Sequence, residues 1–96
     1  MTLYINTTSN QSTTIRLGDY EISQDARVWR SQVVLPMIDS ALREQGKKLI
    51  DITEIELETR ESGSLTGQRV GQSIANALSF ALKVPVKTCQ SPAPVI

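Results

Sequence analysis

Histidine is missing altogether from the 96-residue chain, which excludes His-based nucleophile activation and the usual zinc sites. Cysteine occurs once, as Cys89, so no internal disulfide can form and a reducing cytoplasm is the expected compartment. An excess of either charge is also lacking. Ten basic residues balance ten acidic ones, so the chain has no overall electrostatic footprint for nucleic acid or anionic lipid. Direct nucleic-acid binding is therefore not expected. Aromatics are scarce, and Tyr20 and Trp29 lack the basic surroundings of a base-stacking platform, so both are expected to pack. The opening "MTLYINTT" has neither the basic flank nor the apolar core of a secretory signal. No apolar run approaches membrane-spanning length, and no membrane partner is expected.

What remains is enough for one small core. Residues 1–90 read as a single domain, and the Pro-interrupted "SPAPVI" at 91–96 as a flexible tail. "LYINT" (Leu3 to Thr7) is a β-rich run closed by the polar "TSNQS". "TTIRLGDYEIS" gives two alternating runs around Gly18-Asp19, a hairpin signal, with the second continuing to about Trp29. A helix is predicted from an N-cap at Ser31 to a stop at Gly46, with Val34, Ile38, Ala41 and Leu42 on one stripe widened by Leu35 and Met37. Pro36 falls early in it, where a distorted first turn would tolerate it.

"DITEIELET" then alternates, with Ile55 and Leu57 facing one way and Glu54, Glu56 and Glu58 the other. A second helix is predicted from Leu65 or Thr66 to Leu82. Its apolar stripe is Val70, Ile74, Ala77, Leu78 and Ala81, beside a narrow stripe of Gly67, Gly71 and Ala75. "VPVKTCQ" supplies a last strand. The order β-β-β-α-β-α-β predicts an α/β fold, a mixed five-stranded sheet with both helices on one face. The acidic side of the glutamate strand is expected to meet water, because strands covered on both faces are apolar throughout.

Five features are candidates for chemistry. "ESGSLTGQRVG" (Glu61 to Gly71) places glycines at a helix N-terminus, where free N–H groups suit anions. No lysine follows the second glycine, so it is not a phosphate-binding P-loop; the turn-and-cap reading of Ser62 to Thr66 is preferred. Gly67 and Gly71 would let the helix approach a neighbour closely. Asn6 ends the first strand, where a carboxylate would be needed to hold Mg²⁺; a turn-forming role is expected instead. The glutamate row reads as a solvated face balanced by Arg16, Arg27 or Lys87 rather than a metal site. Cys89 lacks an activating base and reads as a small core residue. The two helices carry more apolar surface than one sheet face of this size can bury, and the small-residue stripe would admit another helix.

With these residues laid out, the chain resembles the N-terminal half of the TsaB (YeaZ) family. Members are non-catalytic partner subunits in the bacterial installation of threonylcarbamoyladenosine on tRNA. The family pattern has a strand ending Ile-Asp-Thr-Ser, a His-Ser-x-x-Leu-Leu-Pro helix start and a Gly-Pro-Gly-Ser-Phe-Thr-Gly-Leu-Arg-x-Gly loop. Here these read "INTTS", "RSQVVLPMID" and "ESGSLTGQRVG". Gly63, Ser64, Thr66, Gly67, Arg69 and Gly71 match position by position.

The resemblance implies the ribonuclease H-like N-terminal lobe of the actin-like ATPase superfamily, one truncated lobe over residues 1–90. It also implies pairing through the two helices, with a second copy or with a TsaD-like catalytic subunit. The partner-binding residues it suggests are Leu35, Ile38 and Leu42 on the first helix and Val70, Ile74 and Ala77 on the second. No catalytic residue, metal or cofactor is expected. Asn6 replaces the family's acidic residue, Glu61-Ser62 replaces its Gly-Pro, and its C-terminal lobe has no counterpart within the 96 residues. Nucleotide in this superfamily sits between two lobes, so one lobe offers half a cleft. Two other readings stay open: a free-standing structural homodimer without a tRNA-modification role, and a weak nucleotide-binding ATPase-like enzyme. A metallopeptidase role has no support in a chain without histidine.

Overall fold

Alternation of apolar and polar residues makes the strands, and a 3.6-residue period makes the helices. The computed structural model describes residues 1–9, 12–25, 30–60, 63 and 65–90. Its elements are β1 (Thr2–Asn6), β2 (Ser12–Leu17), β3 (Tyr20–Asp25), α1 (Arg30–Gln45), β4 (Glu54–Glu58), α2 (Leu65–Leu82) and β5 (Val86–Cys89), with a 3₁₀ turn at Leu49–Asp51 before β4. The expected element order is the observed one. The expected continuation of the second hairpin strand to Trp29, the packing of Trp29, the charge of Arg27 and the tail at 91–96 lie outside the described residues.

The five strands form one sheet in the order β3-β2-β1-β4-β5. β1 pairs antiparallel with β2 and parallel with β4; β5 extends the parallel half. Gly18 takes φ +60° at the first of the two residues between β2 and β3, where a type II′ hairpin turn needs glycine. Gly46 takes φ +64° just past α1, and the Lys47 N–H reaches the Leu42 carbonyl at 2.8 Å, a Schellman ending. The start of α1 differs from expectation. The helix already includes Arg30, so Ser31 lies inside it rather than capping it, and Pro36 falls in its second turn.

One face of the sheet carries Leu3, Ile5, Ile15, Leu17, Ile55 and Leu57, all buried beneath the two helices. The helices contribute unequally. α1 adds Val34, Met37, Ile38, Ala41 and Leu42 to the core, whereas α2 adds only Ala75 among its larger-than-glycine buried residues. The buried residues of α2 are Gly67, Gly71 and Ala75. At Gly71 the small-residue stripe meets the sheet, not another helix as the sequence suggested. An alanine Cβ at Gly71 would overlap Thr7 Oγ1 at the end of β1 and lie 3.2 Å from Leu57 Cδ1 on β4. The absence of side chains lets the helix backbone lie against the carboxyl end of the sheet. That choice leaves the larger apolar row of α2, Val70, Ile74 and Leu78, only half-buried at the flank of the core.

Candidate functional site

The turn from β4 into α2 is held at two points. Arg60 lies two residues beyond β4, and its N–H donates to Gln68 Oε1 at 3.0 Å while Gln68 Nε2 donates to its carbonyl at 2.8 Å. A side-chain amide here does what a neighbouring strand would do, satisfying one donor and one acceptor. Gly63 is wedged between this amide and the turn after β1: a Cβ there would come within 2.9 Å of the Thr8 carbonyl and 3.0 Å of Gln68 Nε2. Asn6 forms the turn expected of it, its Oδ1 accepting from the Thr8 N–H at 3.0 Å and from Thr8 Oγ1 at 2.7 Å. Among the loop residues matched to the family pattern, Gly67 and Gly71 are buried, Gly63 is half-buried, and Thr66 and Arg69 are exposed. Ser64, like Ser62, lies outside the described residues. Sequence reasoning missed Gln68, because a polar residue one turn into a helix reads as surface.

The outer face of the sheet departs from expectation at one end. Glu54 and Glu56 are half-exposed, as an acidic solvated row would be, but Glu58 is 0 % exposed. Tyr4 stands on the neighbouring strand opposite Glu56 and reaches diagonally, its hydroxyl donating to Glu58 Oε1 at 2.7 Å. Arg60 Nε lies 3.7 Å from Glu58 Oε2, and the Arg16 guanidinium lies over the Tyr4 ring, 4.4 Å from its centroid. These groups cover and partly neutralise the carboxylate, which is why it need not face water. Lys87 serves Glu54 at 3.0 Å, and that contact holds the Lys87 ammonium above its ordinary pKa.

Cys89 is likewise not a core residue. It stands half-buried on edge strand β5 opposite Glu58, with its Sγ donating to Glu58 Oε1 at 3.8 Å. Burial first, then the charges of Glu58 and Glu56, push the thiol above its ordinary value. Among the described residues no group of three His, Cys, Asp or Glu side chains is placed to hold a metal ion.

The helix layer presents the other constellation. A groove of about 380 Å³ runs between α1 and α2, lined by Leu35, Thr66, Arg69, Val70, Ser73 and Ile74. A second hollow of about 90 Å³ shares Leu35 with it and reaches Leu49 and Leu78. Of the six residues suggested for a partner surface, Leu35 is 53 % exposed, Val70 and Ile74 are half-buried at the groove, and Ala77 is exposed. Ile38 and Leu42 are different: at 2 % and 5 % exposure they belong to the core, since their stripe on α1 turns onto the sheet. Leu65 and, at 89 %, Phe80 add exposed apolar surface on α2 that the sequence reading did not single out. No helix among the described residues is long and apolar enough to cross a membrane.

Comparison with known proteins agrees with this architecture. In the solved structures the chain matches YeaZ from Pseudomonas aeruginosa at 26 % identity and a TM-score of 0.76, over 93 % of this chain and 44 % of that one. A crystal structure described as an uncharacterized protein with similarity to peptidase YeaZ, from Pseudomonas aeruginosa, matches at 27 % identity and a TM-score of 0.74, over 93 % and 42 %. The chain thus spans less than half the length of either structure. No curated protein matches the sequence. The fold is that of these YeaZ structures, consistent with an actin-like, ribonuclease H-like lobe. Over residues 24–91 the sequence fits the family model described as TsaD, tRNA N6-adenosine threonylcarbamoyltransferase; the chain belongs to that family, on its TsaB-like side.

Proposed function

We propose that the chain is a non-catalytic interaction subunit of the TsaB type, acting in tRNA threonylcarbamoyladenosine modification through the face formed by α1 and α2. The observation that carries this reading is the rotation of α2. Gly71 is against the sheet, so Val70 and Ile74 stay only half-buried beside Leu35, and Ala77 is exposed. An apolar groove, on a helix that also exposes Leu65 and Phe80, is costly to leave in water and is the kind of surface a protein partner covers. The partner is a second copy or a TsaD-like subunit. Ile38 and Leu42, core residues that also line the smaller hollow, support this face from below.

A binding role, rather than catalysis, is supported by the use already made of the polar groups at the carboxyl end of the sheet. Asn6 is engaged by Thr8, Glu58 by Tyr4 and Arg60, and Gln68 by Arg60. The test is sedimentation equilibrium at micromolar concentration, of the protein alone and mixed with a TsaD-like subunit, with Val70→Asp as the disrupting variant. Association in at least one arm, lost in the variant, is expected; a chain that stays monomeric in both arms refutes the proposal.

A further inference from the structure

The groove has one wall in α1, whose five core residues anchor it, and one wall in α2, whose buried face is two glycines and an alanine. The larger side chains of α2 that pack on the core, Val70, Ile74, Leu78 and Leu82, are only half-buried and lie beyond its first turn. The two hydrogen bonds between Gln68 and Arg60 hold that turn in place. They join the first turn of α2, which carries Thr66 and Arg69 to the groove, to the end of a central strand. Gly63 against the Thr8 carbonyl closes the other side of the turn. Arg60 is itself tethered, its side chain lying 3.7 Å from buried Glu58.

From this we infer that Gln68 is a positioning residue for partner docking: its amide pins Arg60 and so fixes the α2 wall of the groove. The inference rests on the docking reading above. Gln68 does not line the groove, so any effect of its replacement on association passes through the position of α2.

The test compares three variants with the parent chain. Gln68→Leu removes both hydrogen bonds at similar volume and with a slightly better helix former, so helix propensity cannot explain a loss. Gln68→Glu keeps an acceptor for the Arg60 N–H and loses the donor to its carbonyl. Ile15→Val is a core truncation under the sheet that lowers stability without touching the turn. Amide exchange read by NMR and sedimentation equilibrium, alone and with a TsaD-like subunit, give separate readouts. Gln68→Leu should speed exchange at Arg60 and weaken association about tenfold, Gln68→Glu should fall between, and Ile15→Val should leave association unchanged. Parent-like association of Gln68→Leu, or equal weakening by Ile15→Val, overturns the positioning role. Faster exchange at Arg60 in Gln68→Leu, together with a parent chain that never associates, overturns the docking reading and this role with it, while leaving the latch itself established.

Discussion

Replacing Gly71 by alanine sets two effects of opposite sign against each other. In an exposed helix interior the change should stabilise by about 1 kcal/mol, since glycine has the larger unfolded-state freedom. In this chain the new Cβ would overlap Thr7 Oγ1 and approach Leu57 Cδ1 to 3.2 Å. Thr7 is fully buried at the end of β1, so the helix must retreat from the sheet or the strand end must shift. Overpacking costs about 1–3 kcal/mol, and an overlap with a fully buried atom falls in the upper half of that range, about 2–3 kcal/mol; against a propensity gain of about 1 kcal/mol this leaves a net loss of about 1–2 kcal/mol. In a domain of this size that lowers the melting midpoint by about 4–8 °C per kcal/mol.

Urea unfolding followed by circular dichroism measures the loss, and Thr7→Ala identifies its source. The Thr7 hydroxyl has no hydrogen-bond partner among the described residues, so its loss should cost little, and the buried methyl lost with it about 1 kcal/mol, which the single variant measures. With the hydroxyl gone, the nearest Thr7 atom to the added Cβ is its own Cβ at 3.4 Å, an ordinary contact. The double variant should therefore recover most of the loss, a coupling that a double-mutant cycle isolates. A Gly71→Ala chain as stable as its parent would refute the close helix–sheet approach, and with it the reason for the half-buried apolar row of α2.

Two further predictions concern the outer face. Tyr4→Phe removes the 2.7 Å bond to a carboxylate that stays buried, and should cost about 1.5–3 kcal/mol in the same unfolding assay. Cys89 should react with iodoacetamide only at higher pH than an ordinary thiol, and Glu58→Gln should move its reaction profile downward. The matching linkage has a definite sign. A thiol whose folded-state pKa is raised stabilises the chain below its ordinary pKa, and that contribution fades as pH climbs from the ordinary value through the raised one. A profile unchanged by Glu58→Gln would separate the thiol from the carboxylate.

Much of this protein is written in local pattern. Period-two alternation in "DITEIELET" and "TTIRLGDYEIS" and period-3.6 stripes in the two helices fix the element order, because side-chain direction follows directly from backbone geometry. Asn6 could be read as a turn because its amide acts on the backbone two residues away. The family pattern in "INTTS" and "ESGSLTGQRVG" was equally legible, being a matter of residues and spacing. Tertiary structure alone decided three things. It chose the glycine stripe of α2 for the sheet and left the larger apolar row only half-buried, since either stripe could pack until β1 and β4 set the available distance. It buried Glu58, because the groups covering that carboxylate, Tyr4, Arg60 and Cys89, come from separate parts of the chain. It also gave Gln68 a partner at Arg60, a contact between two short segments that no periodicity links. Periodicity reports which way a side chain points; only the assembled sheet determines what it meets there.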